Sequence, residues 1–125
     1  MADRSPLVAL GALNAAIAVA AGAFAVHGLR DRLAARALEV FETGARYHMY
    51  HAVAMVLAGL LVATRGAAPT SSTAGWLFQA GIVLFSGSLY ALALTGTKGL
   101  GAITPLGGIA FLAGWLWLAW SSWRG

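Results

Sequence analysis

The sequence contains no cysteine, so disulfides, zinc–thiolate centres and thiol nucleophiles are excluded, and thiols give no clue to a redox compartment. Charge is nearly as scarce. Asp, Glu, Lys and Arg make up 10% of the 125 residues, whereas a soluble domain carries roughly 25%. That is too little polar material to solvate a globule. Catalytic signatures are missing as well: there is no GxSxG, no HExxH, no paired aspartates and no phosphate-binding P-loop. The glycines between Gly96 and Gly108 resemble a nucleotide loop only in composition and are expected to form a tight interhelical turn.

Apolar residues reach 60% and mean hydropathy is +0.78. The charges that exist are separated by uncharged stretches of about 20 residues, the length a helix needs to cross the hydrocarbon core. The pattern predicts an all-α integral membrane protein, a single compact bundle of four transmembrane helices over 6–26, 47–64, 74–95 and 105–123. Ser5-Pro6 and Thr104-Pro105 both read as an N-cap followed by proline at the first helical position. Pro69 and the Ser/Thr run after it read as the second loop. Ala23-Phe24-Ala25 has the small-residue form of a signal-peptidase site, but the apolar run from Leu7 to Val26 is long for a signal and is expected to be retained.

Between the first two spans, residues 31–45 are amphipathic when plotted at about 100° per residue. Leu33, Ala37, Val40, Phe41 and Gly44 lie on one side, and Asp31, Arg32, Arg36, Glu39, Glu42 and Arg46 on the other. This predicts a short interfacial helix lying in the headgroup plane, with Arg36/Glu39 and Glu42/Arg46 spaced to pair. A net charge of +4 spread over short loops makes no basic face for nucleic acid. Membrane lipids, anionic headgroups among them, are the expected partner. Four spans put both termini on one side. Five basic residues on the loop-one face against three on the other do not fix which side that is. Trp120 and Trp123 suit an interfacial aromatic belt.

Helices in lipid gain nothing by burying apolar surface against each other, so small residues should mark their contacts. Gly11/Ala15, Ala54/Ala58, Gly87/Ala91 and Ala110/Gly114 have that spacing and would close the bundle or, alternatively, seam a homo-oligomer. Polar residues at membrane depth turn inward and seek partners. Asn14 and Gln79 fall in the half nearest the termini and are expected to hydrogen-bond as an interhelical pair. The opposite face gathers a candidate polar cluster of His27, Arg46, His48, His51, Ser86, Ser88, Tyr90 and Thr104, with Tyr47, Tyr50 and Thr95 close by. By helix rise His51 and Tyr90 share a depth, which predicts a hydrogen bond between them. His27, His48 and His51 supply nitrogens on one membrane side, yet no buried carboxylate or thiolate joins them. No metal, haem or other cofactor is therefore expected.

Several of these blocks, in order, resemble a known family. Gly22-Ala23-Phe24 with His27, then Phe41, Thr43-Gly44 and Arg46-Tyr47-His48-Met49-Tyr50-His51-Ala52, match its first two motifs. Leu84-Phe85-Ser86-Gly87-Ser88-Leu89-Tyr90, Ile103-Thr104-Pro105-Leu106-Gly107-Gly108, Phe111 and Gly114-Trp115 complete the likeness. The family is the bacterial domain of unknown function 423, related to eukaryotic transmembrane protein 256. The resemblance implies a polytopic membrane protein and carries no established activity. Members often have glutamine where this chain has His48, which argues against His48 as an obligatory metal ligand.

These features point to a small polytopic protein of the bacterial cytoplasmic membrane, not an enzyme, with a structural, lipid-associated or accessory role, alone or in a homo-oligomer or larger membrane complex. A small transporter or channel is the alternative. Small multidrug exporters match it in size but depend on a glutamate in the first helix, where this chain has the neutral Asn14. A haem- or metal-binding redox protein ranks third.

Overall fold

The computed structural model describes residues 6–65 and 69–124, which are helical apart from short turns. Helix α1 (Pro6–Phe24) ends in a π-helical turn, Ala25–Leu29, and α2 covers Ala35–Arg65. Helix α3 (Pro69–Gly81) passes through a second π turn, Ile82–Ser86, into α4 (Gly87–Thr95). A 3₁₀ turn, Lys98–Ala102, then leads into α5 (Thr104–Arg124). Four of the resulting rods, Pro6–Leu29, Ala35–Thr64, Ser71–Thr95 and Lys98–Arg124, are long and apolar enough to cross a membrane. The Ser5 cap lies outside the described residues.

Several expectations change. No separate in-plane helix occupies 31–45. Ala35 to Arg65 is one uninterrupted helix of 31 residues, about 46 Å long at 1.5 Å per residue, so its amphipathic first turns continue the span past a hydrocarbon core of about 30 Å. Nothing between Ala45 and Tyr47 breaks a helix; only polarity changes there. Phe41, on the apolar side, is buried with Ala25, Leu29 and Ala93 and does not face lipid headgroups. Arg36 and Glu39 do pair, at 3.7 Å and largely exposed, while among the described residues Glu42 and Arg46 do not.

The third span starts at Pro69, not at Ala74. Proline at a first helical position initiates a helix, because its missing N–H would have been unpaired there anyway, and Ser71 is accordingly buried. Thr104, expected as an N-cap, spends its hydroxyl on Ser88 instead (2.6 Å). The carbonyl of Ile103 receives the first bonds of α5, from Leu106 and Gly107. At the other end of that loop Gly96 closes α4 with φ +70°, its N–H bonded to the Leu92 carbonyl, a left-handed cap that glycine takes without strain.

Helix α1 packs along α2, α2 along α3 and α4, and α5 along α3 and the π turn that follows it. The seams are made by small residues. A Cβ on Gly11 would stand 2.7 Å from Val56 and 2.9 Å from the Ala52 carbonyl, and Ala52, Ala54 and Ala58 on α2 are fully covered. Gly107 lies so close to the backbone of Phe85 that no side chain fits, and Gly114 receives the ring of Phe78. Gly87 meets only its own helix and is no seam. Met55, Phe78, Ile82 and Phe111 fill the centre. The outer surface is the reverse of a soluble protein's, with Leu13, Val19, Val83, Ile109 and Leu116 among its exposed side chains.

Candidate functional site

Two buried polar side chains, Asn14 and His48, and the half-buried Gln79 and Tyr90 form a chain of hydrogen bonds across three spans. Tyr90 Oη lies 2.9 Å from His48 Nδ1, His48 Nε2 lies 2.9 Å from Asn14 Oδ1, and Asn14 Nδ2 lies 2.9 Å from Gln79 Oε1. Asn14 Nδ2 also reaches the Leu10 carbonyl at 2.9 Å. That carbonyl can only accept, which orients the Asn14 amide and leaves Oδ1 as an acceptor. His48 then donates from Nε2, Nδ1 is left with a lone pair, and Tyr90 donates to it. The neutral Nε2–H tautomer of His48 satisfies every group in the chain.

Asn14 and Gln79 therefore bond as expected, but the predicted His51–Tyr90 bond is replaced by His48–Tyr90. Helix rise alone puts residues at a common depth; it is the facing of α2 that selects between two histidines three residues apart. His48 turns toward α1 and α4, and His51 toward α5. The separation into two polar levels also dissolves, since His48 joins them.

His51 has its own partners. Trp115 Nε1 donates to His51 Nε2 at 3.0 Å, and because an indole N–H can only donate, Nδ1 of the neutral ring carries the proton, donated to the Tyr47 carbonyl at 2.8 Å. The imidazole is stacked on Phe111, with centroids 3.5 Å apart and planes 8° from parallel. The Trp115 hydrogen bond and the Phe111 stack both join His51 of α2 to α5, two helices that otherwise flank the third span. Sequence reading missed Trp115, which looked like one more member of a tryptophan-rich helix end. Its i+4 spacing from Phe111 on the small-residue face of α5 was the available signal.

The remaining predicted residues disperse. Ser86 is fully buried, its hydroxyl donated to the Gly44 carbonyl at 2.8 Å. Ser88 pairs with Thr104 and also bonds the Phe85 carbonyl. Thr95 bonds back to Ala91. Arg46 is exposed on α2, and His27 is exposed on the first π turn. Among the described residues no three His, Asp or Glu side chains gather as a metal site. The one lone pair of each neutral buried imidazole is already taken, by Tyr90 for His48 and by Trp115 for His51.

Beside the His51–Trp115 bridge lies a lateral groove of about 650 Å³ between α2 and α5, floored by Phe85 and Phe111 and walled by Tyr47, Tyr50, Ile109 and Leu112. Its lining is almost wholly apolar and it opens sideways. A smaller recess of about 320 Å³ shares Phe85 with it and mixes Val40 and Leu89 with Arg36, Glu39, Thr43 and Thr104.

Comparison with known proteins places the chain. The profile of the family described as "Protein of unknown function (DUF423)" matches residues 21–108. The chain belongs to that family. The "UPF0382 membrane protein YwdK" of Bacillus subtilis is 50% identical over 109 residues, covering 87% of this chain and 89% of that protein. A UPF0382 membrane protein of Staphylococcus epidermidis is 49% identical over 109 residues, covering 87% and 88%. One from Staphylococcus haemolyticus is 44% identical over 117 residues, covering 94% of each. No solved structure matches. The resemblance drawn from the sequence motifs is thus established, and with it a membrane protein of four candidate transmembrane helices in an uncharacterised bacterial family.

Proposed function

We propose that this protein is a non-enzymatic, lipid-associated component of the bacterial cytoplasmic membrane, with both ends of the chain on one face. The observation that carries this reading is the closure of the polar interior. Asn14, His48, His51, Ser86 and Ser88 are buried, and each is bonded to a partner within the chain. No buried side-chain nitrogen or oxygen is left without a partner among the described residues. A site that binds a polar substrate keeps donors or acceptors free to receive it, and polar groups at membrane depth that are all mutually satisfied act as interhelical glue. Between the charged ends of its helices, what the bundle offers to its surroundings is apolar: the lipid-facing surface and the α2–α5 groove.

The test is reconstitution of the purified chain in proteoliposomes, with proton, cation and fluorescent-solute flux followed under imposed gradients. Rates equal to those of protein-free vesicles are expected. Flux above that background that disappears in Asn14→Leu would replace this reading with a transporter.

A further inference from the structure

The apolar groove and the charged pair at the recess beside it offer the two chemistries of one amphiphile. Along α5 the distance from Thr104, at the recess, to Trp115, at the groove's inner end, is about 16 Å by helix rise. That is about half of a hydrocarbon core some 30 Å thick, the reach of one acyl chain in one leaflet. The two cavities are neighbours, with Phe85 in the lining of both. Thr104 and Pro105, consecutive at the start of α5, line the recess and the groove respectively.

The charges at the polar end are specific. Arg36 and Glu39 stand at the recess as a loose pair, 3.7 Å apart, with side chains 84% and 72% exposed. Exposed pairs of this kind are worth little to the fold, so both ends remain open to countercharges. A guanidinium matches a phosphodiester, and a carboxylate matches an ammonium. An anionic headgroup without an ammonium would satisfy Arg36 and be repelled by Glu39.

Deepening the lipid-associated reading above, we propose that the α2–α5 groove is a binding site for one zwitterionic aminophospholipid, its acyl chain lying between Tyr50, Ile109 and Leu112 and its headgroup held with phosphate at Arg36 and ammonium at Glu39. The site lies on the loop-one and loop-three face of the bundle. The His51–Trp115 bond forms its inner end, so the bridge that ties α5 to α2 also sets how deep the chain can reach.

Gly108 provides the discriminating variant. It lines the groove, yet a Cβ placed there meets nothing within 4 Å. Gly108→Phe should fill the groove without moving a helix, and Ile109→Trp, at a position 63% exposed on the same wall, does so from the lipid side. The full chain would be purified in mild detergent from nanodiscs holding equal phosphatidylethanolamine and phosphatidylglycerol, and retained lipid read by native mass spectrometry, with helicity and thermal unfolding measured alongside. One phosphatidylethanolamine per chain is expected, favoured at least threefold. At least one groove-filling variant should lose it tenfold while unfolding like the parent, and Glu39→Gln should retain lipid with the headgroup preference abolished. Wild-type retention in folded groove-filled variants, no retained lipid on the parent, or equal retention of the two headgroups by the parent would each overturn the proposal. None of these results produces solute flux, so the broader reading fails or stands on the separate vesicle assay.

Discussion

Replacing Asn14 by leucine tests the polar chain at its hub. Asn14 accepts a hydrogen bond from His48 and donates two, to Gln79 and to the Leu10 carbonyl. Leucine has similar bulk but leaves the His48 N–H without an acceptor, and His48 is 4% exposed. Isolated interhelical hydrogen bonds in membrane proteins average about 0.6 kcal/mol and reach about 1.7. An orphaned buried group costs about 1–3 kcal/mol. Leucine on α1 also gains favourable packing, so Asn14→Leu should destabilise by about 1–2 kcal/mol and His48→Phe by a similar amount. The partners are in direct contact, so the double variant should be less impaired than the sum, by about 1 kcal/mol. Unfolding in mixed micelles titrated with denaturing detergent, followed by tryptophan fluorescence and helicity, measures each corner of the cycle. Additivity within about 0.5 kcal/mol, or an Asn14→Leu variant more stable than the parent, would refute a coupled chain. Asn14→Asp checks its direction. A carboxylate still accepts from His48 but sets an oxygen against the Leu10 carbonyl, so this variant should be the least stable of the three.

Two further substitutions probe the α5 seam. Gly107→Ala should cost about 1–3 kcal/mol by overpacking, because its Cβ meets the Phe85 backbone, while Gly108→Ala one residue later should be close to neutral; equal effects in the same unfolding titration would contradict the seam. Trp115→Phe keeps the ring but strips His51 Nε2 of its donor, and a loss of about 1 kcal/mol, together with a changed His51 imidazole nitrogen signal by NMR, is expected.

The four rods were legible in the sequence because each is a long uncharged run, a signal that depends on composition alone. The Asn14–Gln79 bond was legible for a related reason, since two amides at one depth in lipid have few other partners. Helix facing was not. His48 and His51 are three residues apart, and which of them meets Tyr90 depends on how α2 is rotated against α4, which is set by packing at Gly44 and Phe41 against the Tyr90 ring. The boundary at residue 45 failed because polarity marks where a helix leaves the membrane, not where it stops. The Pro69 start failed because proline is read as a breaker, although at a first position it begins a helix. The groove was invisible in principle: it exists because α2 and α5 both pack on the third span and meet each other where His51 reaches Phe111 and Trp115.

Neutrality of the Tyr90–His48–Asn14–Gln79 chain has an electrical consequence. A charge carried across an energised membrane exchanges about 2.3 kcal/mol with each 100 mV. Among the described residues the buried polar groups are amides, hydroxyls, indole and imidazoles; the Trp115 N–H fixes His51 as uncharged, and with His48 as its Nε2–H tautomer, rearranging the core moves no gating charge. The bundle should keep one conformation whether its membrane is polarised or collapsed, a passive fixture in a field that drives its neighbours.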